Sequence, residues 1–322
     1  MRTRWFRTIL TVSATLALVA AACAGDEDDG GATGPTAPTA PTGATATGPT
    51  APTGPAAPCD TAQPGDLLSR ICDEGVIRVS TDPAYPPQSV LNENTQEFEG
   101  FDIDVATEIA NRLGVEVQWE TPEWTAITSG GWSDRWDMSV GSMTVTTERA
   151  EVLHFTPAYY YTPASVAIHV DNTTITDVAT DLDGKRIGVC GACTYDFYLQ
   201  KTLEIYLPGY TFDFVIDDAA IKTYDTDTTA IRDLSLGDGV RLDAVISAKP
   251  TLEEAIESGE PIKLVGDPVF YEPLGTAFDK GAPLDPTSLV AAVSAIIEEM
   301  HADGTLTELS LKWYGEDLSI GT

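Results

Sequence analysis

Residues 100–106, Gly-Phe-Asp-Ile-Asp-Val-Ala, open the stretch on which the fold turns. From Ile103 to Leu113 the residues Ile103, Ala106, Ile109, Ala110 and Leu113 recur at helical spacing and share one face. Val115-Glu116-Val117 follows as a strand, and Val76-Ile77-Arg78-Val79 precedes as another. Outward from this unit the alternation continues. Met138-Ser139-Val140, Arg186-Ile187-Gly188-Val189, Ala244-Val245-Ile246 and Ile262-Lys263-Leu264-Val265 predict further strands, with helices near 195–206, 228–236 and 250–258 between them. Leu289, Val293, Ile296, Ile297 and Met300 trace a late helix, and another lies around Leu306–Trp313. Strands alternating with amphipathic helices predict α/β layers around mostly parallel sheets. There is no GxGxxG and no Walker A sequence, so nucleotide binding has no motif behind it.

Composition narrows the function classes. The 322 residues carry 50 acidic and 18 basic side chains, a formal charge of −32. A chain of that sign cannot rest its affinity on neutralising nucleic-acid phosphates, nor make a polybasic contact with anionic lipid. At 43% hydrophobic residues it has enough apolar material for a substantial core. Three histidines and five cysteines leave few options for metal or triad chemistry, and no cofactor and no metal are expected.

The first 22 residues read as a signal peptide: Arg2, Arg4 and Arg7 precede an apolar stretch from Ile9 to Ala22 that is too short to span a bilayer comfortably. Ala20-Ala21-Ala22-Cys23 resembles a bacterial lipobox, which would make Cys23 the lipidated N-terminus. The alternative is ordinary cleavage beside an incidental cysteine. Residues 23–58 are a Pro/Thr/Gly/Ala-rich tether. Past Cys23 they hold seven prolines, no aromatic residue and no aliphatic residue larger than alanine, so they bury too little to offset ordering entropy. The globular part, 59–322, is large enough for two lobes. In an exported chain the close pairs Cys59/Cys72 and Cys190/Cys193 suggest disulfides, although four cysteines permit three pairings.

Thr81-Asp82-Pro83-Ala84-Tyr85-Pro86-Pro87 and then Gly100–Ala106 resemble the opening of the family 3 extracellular solute-binding proteins, the receptors of polar amino acid ABC importers. Ser142-Met143-Thr144-Val145-Thr146-Thr147-Glu148-Arg149 with Phe155-Thr156-Pro157, Gly184–Val189, Met300–Thr305 and Trp313-Tyr314 match further blocks in the right order, so the likeness spans roughly 65–316. It implies the type II periplasmic-binding-protein fold: two α/β lobes joined by two crossover strands, here near Tyr161–Ser165 and Val269–Thr276. Lobe 1 would hold 59–162, lobe 2 residues 163–274, and 275–322 would return to lobe 1. The implied partners are a small-molecule ligand and a permease and ATPase on separate chains. The protein is expected as a monomer at the outer face of the bacterial cytoplasmic membrane, held by lipid alone.

The same likeness implies a site. Gly141, Ser142, Thr144 and Arg149 lie where a strand enters a helical turn, so hydroxyls, backbone N–H groups and a planar guanidinium can converge on a carboxylate. Read without the family, the same residues are a capped helix with a surface arginine. Tyr85 and Trp124 match aromatics that sandwich a ligand side chain, against core packing as the plain alternative. Asp82 matches an acceptor for cationic or amide groups, or else it caps a turn. In lobe 2 the family opens a helix on Gly-Thr-Thr or Gly-Thr-Ser; here Ala192-Cys193-Thr194-Tyr195 stands there, so Thr194 keeps the hydroxyl, Cys193 replaces its neighbour and Tyr195 follows. Family members that bind α-amino acids place an aspartate at the position of Ala248, so an ammonium partner is expected to be missing here and Ala248→Asp to restore it. Two other classes compete. One is an enzyme of the cyclohexadienyl dehydratase kind, which needs a cleft acid of raised pKa; no glutamate in the matched motifs stands out for that role. The other is a thiol–disulfide protein using the CxxC of Cys190 and Cys193.

Overall fold

The computed structural model describes residues 58–321. The signal segment, Cys23 and the tether lie outside the described residues, apart from Pro58, which begins a 3-10 turn. Helix α1 (Leu67–Glu74) leads into strand β1 (Val76–Ser80). The short strands β2 (Ala84–Tyr85), β3 (Ser89–Leu91) and β4 (Phe98–Glu99) form a small antiparallel sheet. Then come α2 (Phe101–Leu113), β5 (Glu116–Glu120), α3 (Trp124–Thr128), β6 (Met138–Thr144), α4 (Thr147–Val152) and β7 (Leu153–Phe155). After the long β8 (Tyr160–His169) follow α5 (Val178–Asp181), β9 (Lys185–Cys190), α6 (Thr194–Leu199) and β10 (Ala219–Tyr224). The chain closes with α7 (Asp227–Leu234), β11 (Ala244–Ala248), α8 (Lys249–Glu257), β12 (Ile262–Asp279), α9 (Thr287–Ala302) and α10 (Thr305–Tyr314).

The helix that opened the sequence reading forms for identifiable reasons. Gly100 precedes α2 at φ +138°, and a Cβ there would stand 2.2 Å from the Gln88 carbonyl oxygen, so only glycine lets the chain enter at this angle. Asp102 and Asp104 in the first turn and Arg112 in the last suit the helix dipole, and Gly114 closes it in the left-handed conformation. Ile103, Ala106, Ile109, Ala110 and Leu113 are all buried.

The main sheet runs β10-β9-β11-β8-β12-β6-β1-β5, with β7 added against β12. Its two flanks are parallel: β1 pairs with β5 and β6, and β9 with β10 and β11. The middle departs from the expected parallel order, because β8 and β12 run antiparallel to each other and to β11 and β6. These two long strands bind the flanks together. The core divides accordingly. Every buried residue of the clusters around α2, α9 and Trp132 lies at or before Tyr160 or at or after Leu274, and every one of the clusters around β9, β11 and α7 lies between Ala164 and Phe270. The expected lobe divisions at 162/163 and 274/275 fall inside β8 and β12.

One helix is shorter than its pattern. The stretch expected as helix over 195–206 stops at Leu199, and Lys201 turns at φ +60°. Residues 204–206 extend instead and pair with 145–147, through Thr147 N–H to the Glu204 carbonyl (3.0 Å) and Tyr206 N–H to the Val145 carbonyl (2.9 Å). Those backbone groups are satisfied by a distant strand rather than by a further helical turn.

Candidate functional site

Where β6 runs into α4, opposite the turn from β9 into α6 and flanked by the start of α7 and the middle of β12, the chain encloses a cavity of about 290 Å³. Asp82, Tyr85, Trp124, Gly141, Ser142, Thr144, Arg149, Cys193, Thr194 and Tyr195 all line it, so ten residues scattered over more than a hundred positions meet in one place. Among the described residues Arg149 is the only cation that lines it. The side chain is 3% exposed, since Thr146 caps α4 and turns the first helical turn inward. Its Nη1 donates to the Thr144 carbonyl at 3.0 Å and its Nη2 to the Ala192 carbonyl at 3.4 Å, while Nε has no partner among the described residues. The guanidinium carbon sits 5.0 Å from the Trp124 ring centroid, and Trp124 Nε1 donates to the same Ala192 carbonyl at 3.1 Å. Burial lowers the Arg149 pKa to about 10, against the pull of Glu272 and Glu148.

Two buried carboxylates hold the polar framework. Asp102, wholly buried on α2, accepts from Ser142 Oγ at 2.7 Å and from the Tyr159 hydroxyl at 2.7 Å, and Ser142 Oγ also meets the Tyr160 hydroxyl. Those contacts, with the Ser142 N–H donating to Tyr159 at 3.0 Å, fix Ser142 at φ +52°, a left-handed conformation that costs a non-glycine residue free energy. Burial raises the Asp102 pKa to about 7, partly opposed by the Ser142 and Tyr159 bonds. Glu272, from β12, accepts from Thr144 Oγ1 (2.7 Å), from Thr194 Oγ1, and on its other oxygen from the Tyr195 hydroxyl (2.8 Å). Burial raises its pKa as well, with these donors and Arg149 acting in the opposite direction. The hydroxyls expected to face an anion are therefore already engaged by the protein itself.

Five carboxylates line the cavity: Asp82, Glu123, Asp225, Asp227 and Glu272. Asp227 opens α7, and burial raises its pKa to about 7; its Oδ1 has no partner among the described residues. Asp82 is also raised, by burial first, and accepts only the Ala84 N–H at 2.7 Å. One guanidinium among five carboxylates makes a cavity that offers a single place to an anion and several to cations.

Both suggested cysteine pairs lie at bonding distance, 1.99 Å for Cys59–Cys72 and 2.07 Å for Cys190–Cys193. The second brackets Gly191 and Ala192. It holds Ala192 at φ +57°, with its N–H on Asp196 (3.1 Å) and its carbonyl turned toward Arg149 and Trp124. Ala248 is a correction to the expected set. It is fully buried at the end of β11, paired with Ala164 of β8 and capping α8, and does not line the cavity. Asp227 and Glu272 line it instead, and sequence reasoning missed both. Asp227 looks like any acidic residue at a helix start. Glu272 did leave a signal: it is the one charge in the apolar run from Pro268 to Phe278. A lone carboxylate in a buried strand demands partners.

The family model of the bacterial extracellular solute-binding proteins, family 3, matches residues 77–316. The L-cystine-binding protein TcyJ of Escherichia coli K12 is 27% identical over 254 residues, covering 79% of this chain and 88% of that protein. An ancestral arginine-binding protein, solved bound to glutamine, superimposes with a TM-score of 0.62 at 30% identity, covering 75% of this chain and 99% of its own. An ancestral amino acid-binding protein described as a precursor of cyclohexadienyl dehydratase gives a TM-score of 0.63 at 25% identity, covering 76% and 98%.

Proposed function

The chain belongs to the bacterial extracellular solute-binding proteins, family 3, and on that premise we propose that it captures an amino acid or a derivative by its carboxylate and hands it to a separate permease of an ABC importer. The observation that carries the reading is Arg149. It is a buried guanidinium that lines a cavity between the two cores and is backed by an aromatic ring. A planar fork of this kind suits a carboxylate. The relatives with amino acids in their names support the solute class.

Ligand would join residues 59–162 and 275–322, taken as one lobe, to 163–274, taken as the other. Contacts that already cross the cavity suit such a closure, among them Trp124 to Ala192 and Thr228 Oγ1 to the Ala84 carbonyl at 3.0 Å. A ligand that touches both sides shifts the open–closed equilibrium by its preference for the closed form. We assign Arg149 to the ligand carboxylate, Trp124 and Tyr85 to the sides of its side chain, and Asp82 and Asp227 to its cationic groups. Residues 1–22 are assigned as signal peptide, Cys23 as the lipidated N-terminus and 23–58 as the tether of a monomer. Among the described residues no helix is long and apolar enough to cross a membrane.

A thermal-shift panel of amino acids tests the reading. A true ligand at 100 times its dissociation constant should stabilise the fold by about 2.7 kcal/mol, and a panel without any shift refutes it. One observation favours a second reading. The raised pKa of Asp227 gives the cavity an acid poised near neutrality, as a dehydratase of the cyclohexadienyl kind needs. Turnover of prephenate or arogenate would establish that reading in place of transport.

A further inference from the structure

We propose that Glu272 is a specificity-determining residue, which consumes the hydroxyl donors of the anion site and thereby selects solutes that carry more positive than negative charge. The proposal deepens the amino-acid reading above and rests on it. A threonine or tyrosine hydroxyl has one proton to give. Thr144 and Thr194 give theirs to one oxygen of Glu272, and Tyr195 gives its own to the other. Ser142 spends its proton on Asp102 at 2.7 Å. None of the four hydroxyls is left as a donor to a ligand carboxylate.

Glu272 is no loose end of the cavity wall. It is 1% exposed and comes from β12 between the two cores, and its carboxylate stands where donors from β6 and α6 converge. What remains for an anion is the Arg149 guanidinium, the one cation among the described residues that line the cavity. A second ligand anion would find no further cation among the described lining residues. Cationic groups meet the opposite situation, because Asp82, Glu123, Asp225 and Asp227 also line the cavity, and Asp82 accepts a single backbone N–H among the described residues. Closing the cavity over a neutral side chain leaves those carboxylates buried and unpaired, whereas a second ligand cation pairs them. Selection of this kind works by penalising the wrong solute as much as by rewarding the right one.

Calorimetric titration of the native protein and of Glu272→Gln with L-arginine, L-glutamine and L-glutamate tests this. Native protein should bind L-arginine at least about tenfold more tightly than L-glutamine, with L-glutamate weakest, and Glu272→Gln should shrink the arginine-to-glutamate ratio by at least about tenfold. An unchanged ratio in a folded variant overturns the proposal. So does a native preference for L-glutamine or L-glutamate, which leaves the amino-acid reading standing. Binding of none of the three overturns the proposal, while the amino-acid reading stands or falls on the thermal-shift panel. Should Glu272→Gln not fold, a crystal structure of the native protein with L-arginine decides. Glu272 should keep its three hydroxyl donors while the ligand carboxylate sits on Arg149. Hydroxyls of Thr144 and Thr194 turned onto the ligand carboxylate would refute it.

Discussion

Replacing Arg149 with alanine removes the only cation among the described residues that line the cavity. The side chain is 3% exposed, so whatever anion it holds is held away from water, and no lining group of like charge can take over. By analogy with buried charge pairs truncated on one side, the loss is roughly 2–5 kcal/mol, which is about thirty-fold to several thousand-fold in affinity. Two further losses push the same way. The carbonyls of Thr144 and Ala192 each lose a donor, and the contact with the Trp124 ring, about 0.5–2 kcal/mol for a partly desolvated pair, disappears. Arg149→Lys should recover only part of the affinity, because a point charge cannot reach both carbonyls and present a fork to the ligand. Calorimetry with the best solute of the thermal-shift panel is the assay, and melting of the solute-free variants checks that they are folded. If folded Arg149→Ala binds within threefold of the native protein, the assignment of Arg149 to the ligand carboxylate is wrong.

Four other outcomes follow from the same structure. Replacing Cys190 and Cys193 with alanine should weaken solute binding several-fold, because the Ala192 carbonyl then no longer faces Arg149 and Trp124 by constraint; unchanged calorimetric affinity would show the bridge to be irrelevant to the site. Breaking Cys59–Cys72, whose cysteines are 13 residues apart, should cost about 3 kcal/mol in the chain-entropy model, read as a lower midpoint in denaturant. Asp102 has its folded pKa raised to about 7 from 3.8, so the folded state holds a proton that the unfolded state has lost between those values. Its contribution to stability is complete below about pH 3.8 and falls as the pH rises to about 7; Asp102→Asn should flatten melting against pH in that window by up to about 1.4 kcal/mol per pH unit, leaving the similar slope from Asp227. Cys23→Ser should release the protein to the soluble fraction, and continued membrane retention would count against lipidation.

Much of the fold was legible because its strands and helices obey simple periods. The stripe from Ile103 to Leu113 is buried along its whole length, and β1, β9 and β11 each begin within a residue of where their β-branched runs do. The centre of the sheet was harder. β8 and the second half of β12 are buried almost throughout because both of their faces are covered there, so they show no alternation to mark direction, and an antiparallel pair reads like a parallel one. The helix that stops at Leu199 failed for a different reason: the pairing of residues 204–206 with 145–147, from Ile205 back to Thr146 in a distant part of the chain, overrides local helical preference. Ten residues expected at the site do line one cavity, yet their proposed bonds could not be read from spacing. Ser142 and Thr144 spend their hydroxyl protons on Asp102 and Glu272, carboxylates that arrive from α2 and β12. The electrostatic character of the cavity is thus set by residues far from the motif that marks it.

The most direct test of the account is to denature the purified native protein and identify by mass spectrometry the small molecule that it releases. The account predicts a solute with one carboxylate and at least two cationic groups, the charge pattern that one guanidinium and five carboxylates among the described lining residues would hold. A released solute without a carboxylate, or one whose negative charges equal or outnumber its positive ones, would contradict it.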